Sequence, residues 1–194
     1  MNFYVQKSCI NGYKIDNTNQ KINCLIKNID WKNNPTEFEY RLSENSEIKK
    51  AIIKSVKEFD VSSISKYVRK TVNIDRSSDH VSNLSNDKNP IFNEEELFLK
   101  VLIEGKSNLY EYVDGDLTRY FYTKENANIE QLIFKKYKTL ESNSGENNRF
   151  RQQLWTDLKC PNLKMSRFEY VKYNKNDLVR FFTEYSECQN NDLI

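Results

Sequence analysis

Glycine and histidine are scarce in this sequence, which has four glycines and one histidine in 194 residues. It contains neither of the glycine-rich patterns that cradle nucleotide phosphates, G-x-x-x-x-G-K-[ST] and G-x-G-x-x-G. The H-E-x-x-H pattern of metalloproteases and the G-x-S-x-G pattern of α/β-hydrolases are absent as well. The sequence therefore predicts no nucleotide hydrolase activity and no bound cofactor.

The cysteines are scattered and form no C-x-x-C pair; they are Cys9, Cys24, Cys160 and Cys188. With a single histidine beside them, this spacing predicts no metal site. An even number of cysteines fits two disulfides in an oxidising compartment, and buried free thiols fit the same spacing. The residues by themselves leave both redox states open.

Long apolar runs and an excess of one charge are also missing. No run approaches the roughly 18 residues of a membrane helix, so no membrane-spanning segment is predicted. The N-terminal MNFYVQKSCI lacks the charged and apolar regions of a signal peptide. Thirty basic and 28 acidic residues are interspersed, with a net charge of +2, which gives no strong signal for a nucleic-acid partner.

The clearest structural pattern lies between Ile91 and Tyr137. Runs rich in leucine, valine, isoleucine, tyrosine and phenylalanine alternate there with turn residues, which predicts a four-stranded antiparallel meander at 97–104, 109–113, 117–123 and 129–137. The turns fall at Gly105, at Asp114-Gly115 and at 126–128. Asp-Gly between two apolar runs indicates a two-residue hairpin turn that requires positive φ.

More strands precede this region, and helical periodicity follows it. Residues 10–16 and 22–29 predict a hairpin, 36–42 and 67–74 predict strands, and the polar tract 77–90 predicts a mobile loop. After residue 147 apolar residues recur at helical spacing, in the sets Phe150, Leu154 and Leu158, then Leu178, Phe181, Phe182 and Tyr185. Asn147 or Asn148 would cap the first helix and Asn176 the last, and Gly145 would lie in a tolerant polar loop.

These patterns together predict an α+β fold. The N-terminal and central part is antiparallel and rich in β-strands, and a small helical unit ends the chain. We expect a β-rich domain at 1–140 and a helical unit at 141–194 packed on it.

One short tract carries groups that could do chemistry. Asp75, Asp79 and His80 lie within six residues of each other, and two carboxylates with an imidazole could act as acid and base in a hydrolase-like site. The alternative is a strand end whose Asp and Ser side chains cap their own backbone.

Two further sets are candidates for binding. Tyr110, Tyr112, Tyr120 and Tyr122 could form an aromatic ladder on one face of the sheet, which would suit single-stranded nucleic acid, although such pairs commonly just stabilise sheets. Arg149 and Arg151 could form a basic recognition surface, and a solvated helix face explains the same residues.

Ordered motifs along the chain resemble a known protein family. GYKID, IKNIDWKNNPTEFEYRL, KYVRKTVNIDRSSD, LFLKVLIEGKSNLYEY, RYFY and FRQQLW with LKC occur in that order across most of residues 11–188. In this the chain is similar to the soluble N-terminal domain of uncharacterised cell-envelope proteins of Bacteroidota. In that family a secretory leader comes first and an outer-membrane β-barrel often follows, and this chain shows neither element.

The resemblance implies a periplasmic or cell-envelope location, with the cytoplasm as the alternative. In an oxidising compartment Cys160 and Cys188 would be disulfide partners. The implied function is a non-catalytic binding or scaffolding domain, whose partner would be a cell-envelope protein or an outer-membrane barrel. A hydrolase-like enzyme using the Asp75 to His80 loop and a single-stranded nucleic-acid-binding module are the alternatives.

Overall fold

The computed structural model describes residues 9–124, 128–139 and 143–191. They form a mostly antiparallel β protein whose helices come last in the chain, as the sequence predicts. The strands are β1 (Cys9–Asp16), β2 (Lys21–Lys27), β3 (Glu37–Arg41), β4 (Lys49–Ile52), β5 (Val56–Val61), β6 (Ser65–Asp75), β7 (Phe92–Ile103), β8 (Ser107–Asp114), β9 (Leu117–Lys124), β10 (Glu130–Gln131), β11 (Lys135–Lys138) and β12 (Ser144–Asn147). The helices are α1 (Phe150–Asp157), α2 (Met165–Tyr170) and α3 (Lys175–Asn191), and short 3₁₀ turns lie at Ile53–Ser55 and Val81–Asn83.

The described residues form two compact units. The first contains 9–71 and 96–101, and the second contains 72–95 and the described residues from 102 onward. Strands β6 and β7 contribute to both units. This division differs from the predicted boundary at residue 140, which itself lies outside the described residues, because β8 and β9 belong to the same unit as the helices.

The first unit is built on the predicted N-terminal hairpin. β1 and β2 pair antiparallel from Cys9 opposite Lys27 to Ile15 opposite Lys21, and the strand order from β7 is β7-β6-β5-β1-β2-β3-β4. An aromatic stack forms its core, with the Phe59 ring 4.1 Å from that of Phe38 and 4.9 Å from that of Tyr67 between centroids. These three residues are almost fully buried, so the hairpin and its neighbours are held by aromatic packing.

The core of the second unit lies between the β8–β9 hairpin and the helices. The predicted helical stripes are confirmed, since every member of both sets is buried. They pack with strand residues into one cluster that includes Leu109, Tyr120, Tyr122 and Leu132. Burying an apolar stripe against a sheet is what stabilises helices this short, because isolated helices of this length are marginal in water.

Three local details differ from the sequence-based expectation. The β8–β9 loop consists of Gly115 and Asp116, because Asp114 still pairs with Leu117. The predicted fourth strand at 129–137 is not one strand: β10 pairs with β9, whereas β11 pairs with β12. The predicted turn at 126–128 lies mainly outside the described residues.

The N-terminal cap of α3 also differs from the sequence-based expectation. The backbone N–H of Asp177 donates to the side-chain oxygen of Asn174 at 3.0 Å. Asn174 is therefore the N-cap, and the predicted cap Asn176 already lies inside the helix. An Asx side chain just outside the first turn satisfies an amide that has no partner within the helix.

The polar tract 77–90, predicted as a mobile loop, is bonded near its C-terminal end by two side-chain donors, one of them buried. Lys135 is fully buried, and its Nζ donates to the carbonyl of Asn89 at 2.7 Å. The side-chain amide of Asn147 donates to the backbone carbonyl of Lys88 at 2.8 Å. If residues 88 and 89 moved away, the buried Lys135 ammonium would lose its acceptor, so we expect this end of the tract to be ordered.

Substituting Gly115 by valine is expected to lower the free energy of unfolding by roughly 1–2 kcal/mol, because Gly115 has φ of 60° and a β-branched residue is strained there. Gly105→Val is the control, since a Cβ at Gly105 would come no closer than 3.7 Å to a neighbour outside its own turn. Chemical denaturation of both variants gives the comparison, and equal losses would contradict the turn assignment. Gly145, predicted as tolerant, is unsuitable because its Cβ would lie 2.6 Å from Tyr137 Cζ.

Candidate functional site

Arg119, on β9, is the centre of a buried polar cluster in the second unit. Its side chain is fully buried. Nε donates to the carbonyl of Asp75 at 2.9 Å, Nη1 to Asp79 Oδ2 at 2.6 Å, and Nη2 to the carbonyl of Ser77 at 2.5 Å. One guanidinium therefore organises the tract in which the sequence placed candidate catalytic residues, using the fork geometry that suits arginine to such sites.

Asp75 is the most deeply buried carboxylate of this cluster, with 1% of its surface exposed. Its Oδ1 accepts from the hydroxyl of Ser77 at 2.7 Å and from the amide of Ile91 at 3.2 Å. Its own N–H donates to Gln131 Oε1 at 2.8 Å. These bonds connect the end of β6 to the residue before β7 and to β10, so Asp75 acts as a structural junction of the second unit.

His80 does not join this arrangement. It is exposed, and its Nδ1 lies 2.8 Å from the hydroxyl of Ser82, in the turn that follows. The structure thus brings Asp75 and Asp79 together around Arg119 and leaves the imidazole at the surface. The capping interpretation accounts for the bonds seen here, including that from the Ser77 hydroxyl to Asp75.

Sequence reasoning missed Arg119 as the organising residue. The available signal was an arginine within the strand sequence RYFY, since a charged residue among aromatic ones in a buried strand must have partners. Gln131 was missed too, because nothing in its local sequence indicates a partner 56 residues away in the chain.

The four tyrosines do not form the predicted ladder. Tyr110 lies opposite Phe121 and Tyr112 opposite Arg119, whereas Tyr120 and Tyr122 lie opposite Glu111 and Leu109. Directly opposed residues share a face, so the two pairs of tyrosines point to opposite faces of the hairpin. All four are buried, which leaves no open platform on which bases could stack.

Burial also determines the chemistry of Tyr120 and Tyr122, whose pKa it raises well above the ordinary value for tyrosine. The Tyr122 hydroxyl donates to Asp157 Oδ2 at 2.5 Å, which raises its pKa further. A phenol that stays protonated is a lasting hydrogen-bond donor. This bond ties β9 to the end of α1.

The two candidate arginines at α1 have different surroundings. Arg149 is exposed, whereas Arg151 is half-buried and its Nε donates to the carbonyl of Val171 at 3.1 Å. Val171 is the residue that ends α2. Arg151 therefore satisfies a carbonyl at a helix C-terminus, where a cation is favoured, and the pair does not act as one basic surface.

Two surface concavities of the second unit flank α2. A groove of about 350 Å³ between α1 and α2 is lined by Arg151, Gln152, Trp155, Met165, Phe168 and Glu169. A larger pocket of about 640 Å³ lies on the side of α2 that faces α3, with Arg167, Arg180 and Glu184 in its wall. On α2 itself, Met165 is 49% exposed and Tyr170 is 75% exposed.

Asp177, at the start of α3, is held in its ionised form. Burial opposes ionisation, but Asp177 Oδ2 accepts from the backbone N–H of Lys172 and Oδ1 accepts from the Arg180 guanidinium, both at 2.5 Å. The Arg167 guanidinium adds a second favourable charge at 3.6 Å. The net result is a lowered pKa for Asp177.

The Asp177→Asn variant is expected to unfold more easily at neutral pH by about 1.5–3 kcal/mol, the range for hydrogen bonds to a charged group. Because the folded-state pKa is lowered, this stabilisation is fully present above about pH 4 and is lost as the pH falls through the folded-state pKa. Urea denaturation of both proteins between neutral pH and pH 3 measures the difference. Asp116→Asn, in an exposed loop, is the control, and a gap that stays constant across this range would refute the assignment.

Cys160 and Cys188 are disulfide-bonded in the structure, with Cα atoms 6.4 Å apart. This separation lies within the roughly 7 Å that a disulfide can span. The bond joins the segment after α1 to the last turns of α3. Cys24 is a buried free thiol, and burial raises its pKa.

Across the described part of the chain, no cluster of three or more histidine, cysteine, aspartate or glutamate residues is arranged to hold a metal ion. Within the same residues, no helix combines the length and apolar character needed to cross a membrane. Comparison with known proteins finds no matching family model, no matching curated protein and no matching solved structure.

Proposed function

We propose that this protein is a non-catalytic binding or scaffolding domain of the cell envelope and that it contacts a partner protein through α2 and its flanking groove. This surface, called the α2 face below, consists of Trp155, Met165 and Tyr170. The observation that carries the proposal is the exposure of two large apolar side chains on α2: Met165 beside the mainly apolar groove, and Tyr170 in the wall of the larger pocket on the other side of the helix.

The composition of the α2 face favours a protein partner. Tryptophan, tyrosine and methionine are enriched at protein interfaces: the two aromatic side chains offer large contact area with little conformational entropy to lose, and the flexible methionine adapts its shape to the partner. Arg151 and Glu169 line the same groove, so its charges balance and it suits an uncharged side chain. The occupant proposed is a segment of an envelope protein that inserts an apolar side chain beside Trp155.

The disulfide supports the proposed compartment. Bonds of this kind persist in the periplasm and outside cells and are rare in a reducing cytosol. A bridge that holds the end of α3 therefore fits an exported domain. It agrees with the resemblance to envelope proteins, one of whose motifs, LKC, itself contains Cys160.

The bonds around Arg119 support binding over catalysis. A general acid or base needs a group that can approach a substrate, and the Asp75 carboxylate is almost fully buried and holds backbone amides. The hydrolase-like alternative retains one supporting observation, that Asp75 Oδ2 and Asp79 Oδ1 have no hydrogen-bond partner. The nucleic-acid alternative loses support because its tyrosines are buried.

Site-specific photocrosslinking tests the α2 face. A photoreactive phenylalanine analogue replaces Tyr170 in one protein and Val81 in the control; these residues are 75% and 71% exposed. After export into the periplasm of a Bacteroidota host, we expect an adduct with an envelope protein from position 170 only. Excess unlabelled protein should suppress the adduct, and an excess of the Met165→Asp variant should not.

Two results would overturn the proposal. One is equal crosslinking from positions 170 and 81, which would indicate random encounter. The other is suppression by the Met165→Asp variant as efficient as that by the unmodified chain, because Met165 would then contribute nothing to the interface. Met165 is half-exposed, so the aspartate is expected to leave the fold intact.

A further inference from the structure

We infer that a small pocket beside Trp31, in the first unit, binds an uncharged sugar ring. The pocket has a volume of about 240 Å³ and is lined by Lys27, Ile29, Trp31, Glu37, Phe38, Glu39 and Lys50. It is smaller than the roughly 300–1,000 Å³ of pockets for drug-sized ligands, so it suits one ring. This site goes beyond the proposed function, because it shares no residue with the α2 face.

The aromatic wall of this pocket is held in place before any ligand binds. The Trp31 ring meets the rings of Phe59 and Tyr67 edge-on, at centroid distances of 5.9 and 6.0 Å. Both of those rings are almost fully buried, whereas Trp31 is only partly buried. A ring fixed by buried neighbours and still accessible in a pocket provides a pre-organised stacking surface.

The backbone on either side of Trp31 is also fixed. Asp30 has φ of 51°, a left-handed conformation that non-glycine residues adopt uncommonly, and its N–H donates to the side chain of Asn28 at 3.0 Å. After the tryptophan, the side-chain amide of Asn34 donates to the backbone carbonyl of Phe98 at 2.8 Å. The turn at Asp30 and the Asn34–Phe98 hydrogen bond hold the segment that carries Trp31 against the core. An unusual backbone conformation such as that of Asp30 is common at binding sites.

The polar groups of the pocket belong to two ion pairs on neighbouring strands. Lys27 of β2 pairs with Glu39 of β3, and Lys50 of β4 lies 2.6 Å from Glu37 of β3. Their side chains are between 34% and 57% exposed. Ion pairs this accessible are solvated by water and contribute little to stability, so a ligand can share them at small cost.

These groups select the ligand by charge. The charges of the two lysines and two glutamates sum to zero, so a charged ligand gains no net attraction from the pocket. Such a ligand is also repelled by the two side chains that carry its own sign of charge. An ammonium has three N–H donors and a carboxylate has two acceptor oxygens. Alternating donors and acceptors beside an aromatic ring match the hydroxyl edge and apolar face of a neutral sugar.

Intrinsic fluorescence tests this inference, because Trp31 and Trp155 are the only tryptophans in the sequence. In a Trp155→Phe background the emission reports Trp31 alone. The probes are the methyl glycosides of glucose, galactose and N-acetylglucosamine, with glucuronate and glucosamine as charged counterparts. We expect a saturable emission change with at least one neutral glycoside, with affinity in the millimolar range.

Variants assign the binding to the pocket. Lys50→Met should weaken the binding of that glycoside about tenfold, since it removes donors at the rim. Tyr170→Ala, on the α2 face, should leave it unchanged, so failure here and failure of the proposed protein interface can be told apart. Lys50 is more than half exposed, and the variant's unchanged far-ultraviolet circular dichroism would verify that it folds.

The inference fails under any one of three outcomes. The first is that neither Trp31 fluorescence nor saturation-transfer NMR detects any of the three neutral glycosides. The second is that glucuronate or glucosamine binds more tightly than every neutral probe, because the pocket would then select a charge. Equal binding by the Lys50→Met variant would also overturn it, since the sugar would then lie elsewhere.

Discussion

Replacing Arg119 with methionine is expected to lower the free energy of unfolding by about 3–5 kcal/mol, which is the largest effect of any single substitution proposed for this protein. The guanidinium is fully buried and serves Asp75, Ser77 and Asp79. Methionine fills similar space but removes the donor to the Asp79 carboxylate and to two carbonyls, and it leaves the buried Asp75 carboxylate without the guanidinium that lies 4.0 Å away. Guanidinium chloride denaturation at neutral pH measures the loss.

Arg76→Met is the matched control for this experiment. Arg76 also pairs with two carboxylates, at 2.7 Å from both Glu95 and Asp114, but its side chain is 32% exposed. Water can solvate the partners once the arginine is gone, so we expect a loss of about 1 kcal/mol or less. If the two variants lost equal stability, the buried cluster would not be the junction described here.

Removing the disulfide is expected to have the second-largest effect. Cys160 and Cys188 are 28 residues apart in sequence, and in the chain-entropy model a loop of this length is worth about 3.5 kcal/mol. The Cys160→Ser/Cys188→Ser protein should therefore unfold at a lower denaturant concentration than the oxidised wild type. With a reductant present, most of this difference should disappear.

Cys9→Ser provides the control, because Cys9 is a free thiol that is partly exposed. It should change stability little with or without reductant. Mass spectrometry of exported protein, alkylated without reduction, should find Cys160 and Cys188 protected. If both are alkylated in that sample, the structural argument for an oxidising compartment is lost.

The two proposed sites make different demands on the fold. The α2 face consists of residues that the short helices leave exposed. Those helices are stabilised by the apolar stripe that they bury against β8 and β9. The Trp31 pocket relies on a turn and an aromatic core within the first unit. Each proposal can thus be tested with variants that leave the other site untouched.

Local periodicity was enough to predict those strands and helices whose formation depends mainly on residues close together in sequence. The hairpin of β1 and β2 follows from two apolar runs around a polar loop, and α1 and α3 follow from apolar residues at helical spacing. The proximity of Cys160 and Cys188 was inferred from a family resemblance. A buried apolar stripe or a short turn requires a residue pattern at neighbouring positions, so it can be recognised in the sequence.

The tertiary structure alone decided which side chains meet. Tyr110 and Tyr120 are alike in sequence, but a two-residue loop sends residues of equal parity to opposite faces of a hairpin, so they never share a surface. Gly12 lies within an ordinary strand pattern, yet a Cβ there would come 2.1 Å from the carbonyl oxygen of Asp60. Only the pairing of β1 with β5 shows this constraint.

The buried cluster and the Trp31 pocket depend on the same kind of information. Arg119 lies more than 40 residues from Asp75 in the chain, and Trp31 meets Tyr67 across strands that do not follow it directly. Sequence by itself determined the hairpin of β1 and β2, the hairpin of β8 and β9, and the buried faces of α1 and α3. Long-range packing decided which polar groups are buried together and which aromatic ring remains accessible, because those outcomes depend on residues that are distant in sequence and adjacent only after folding.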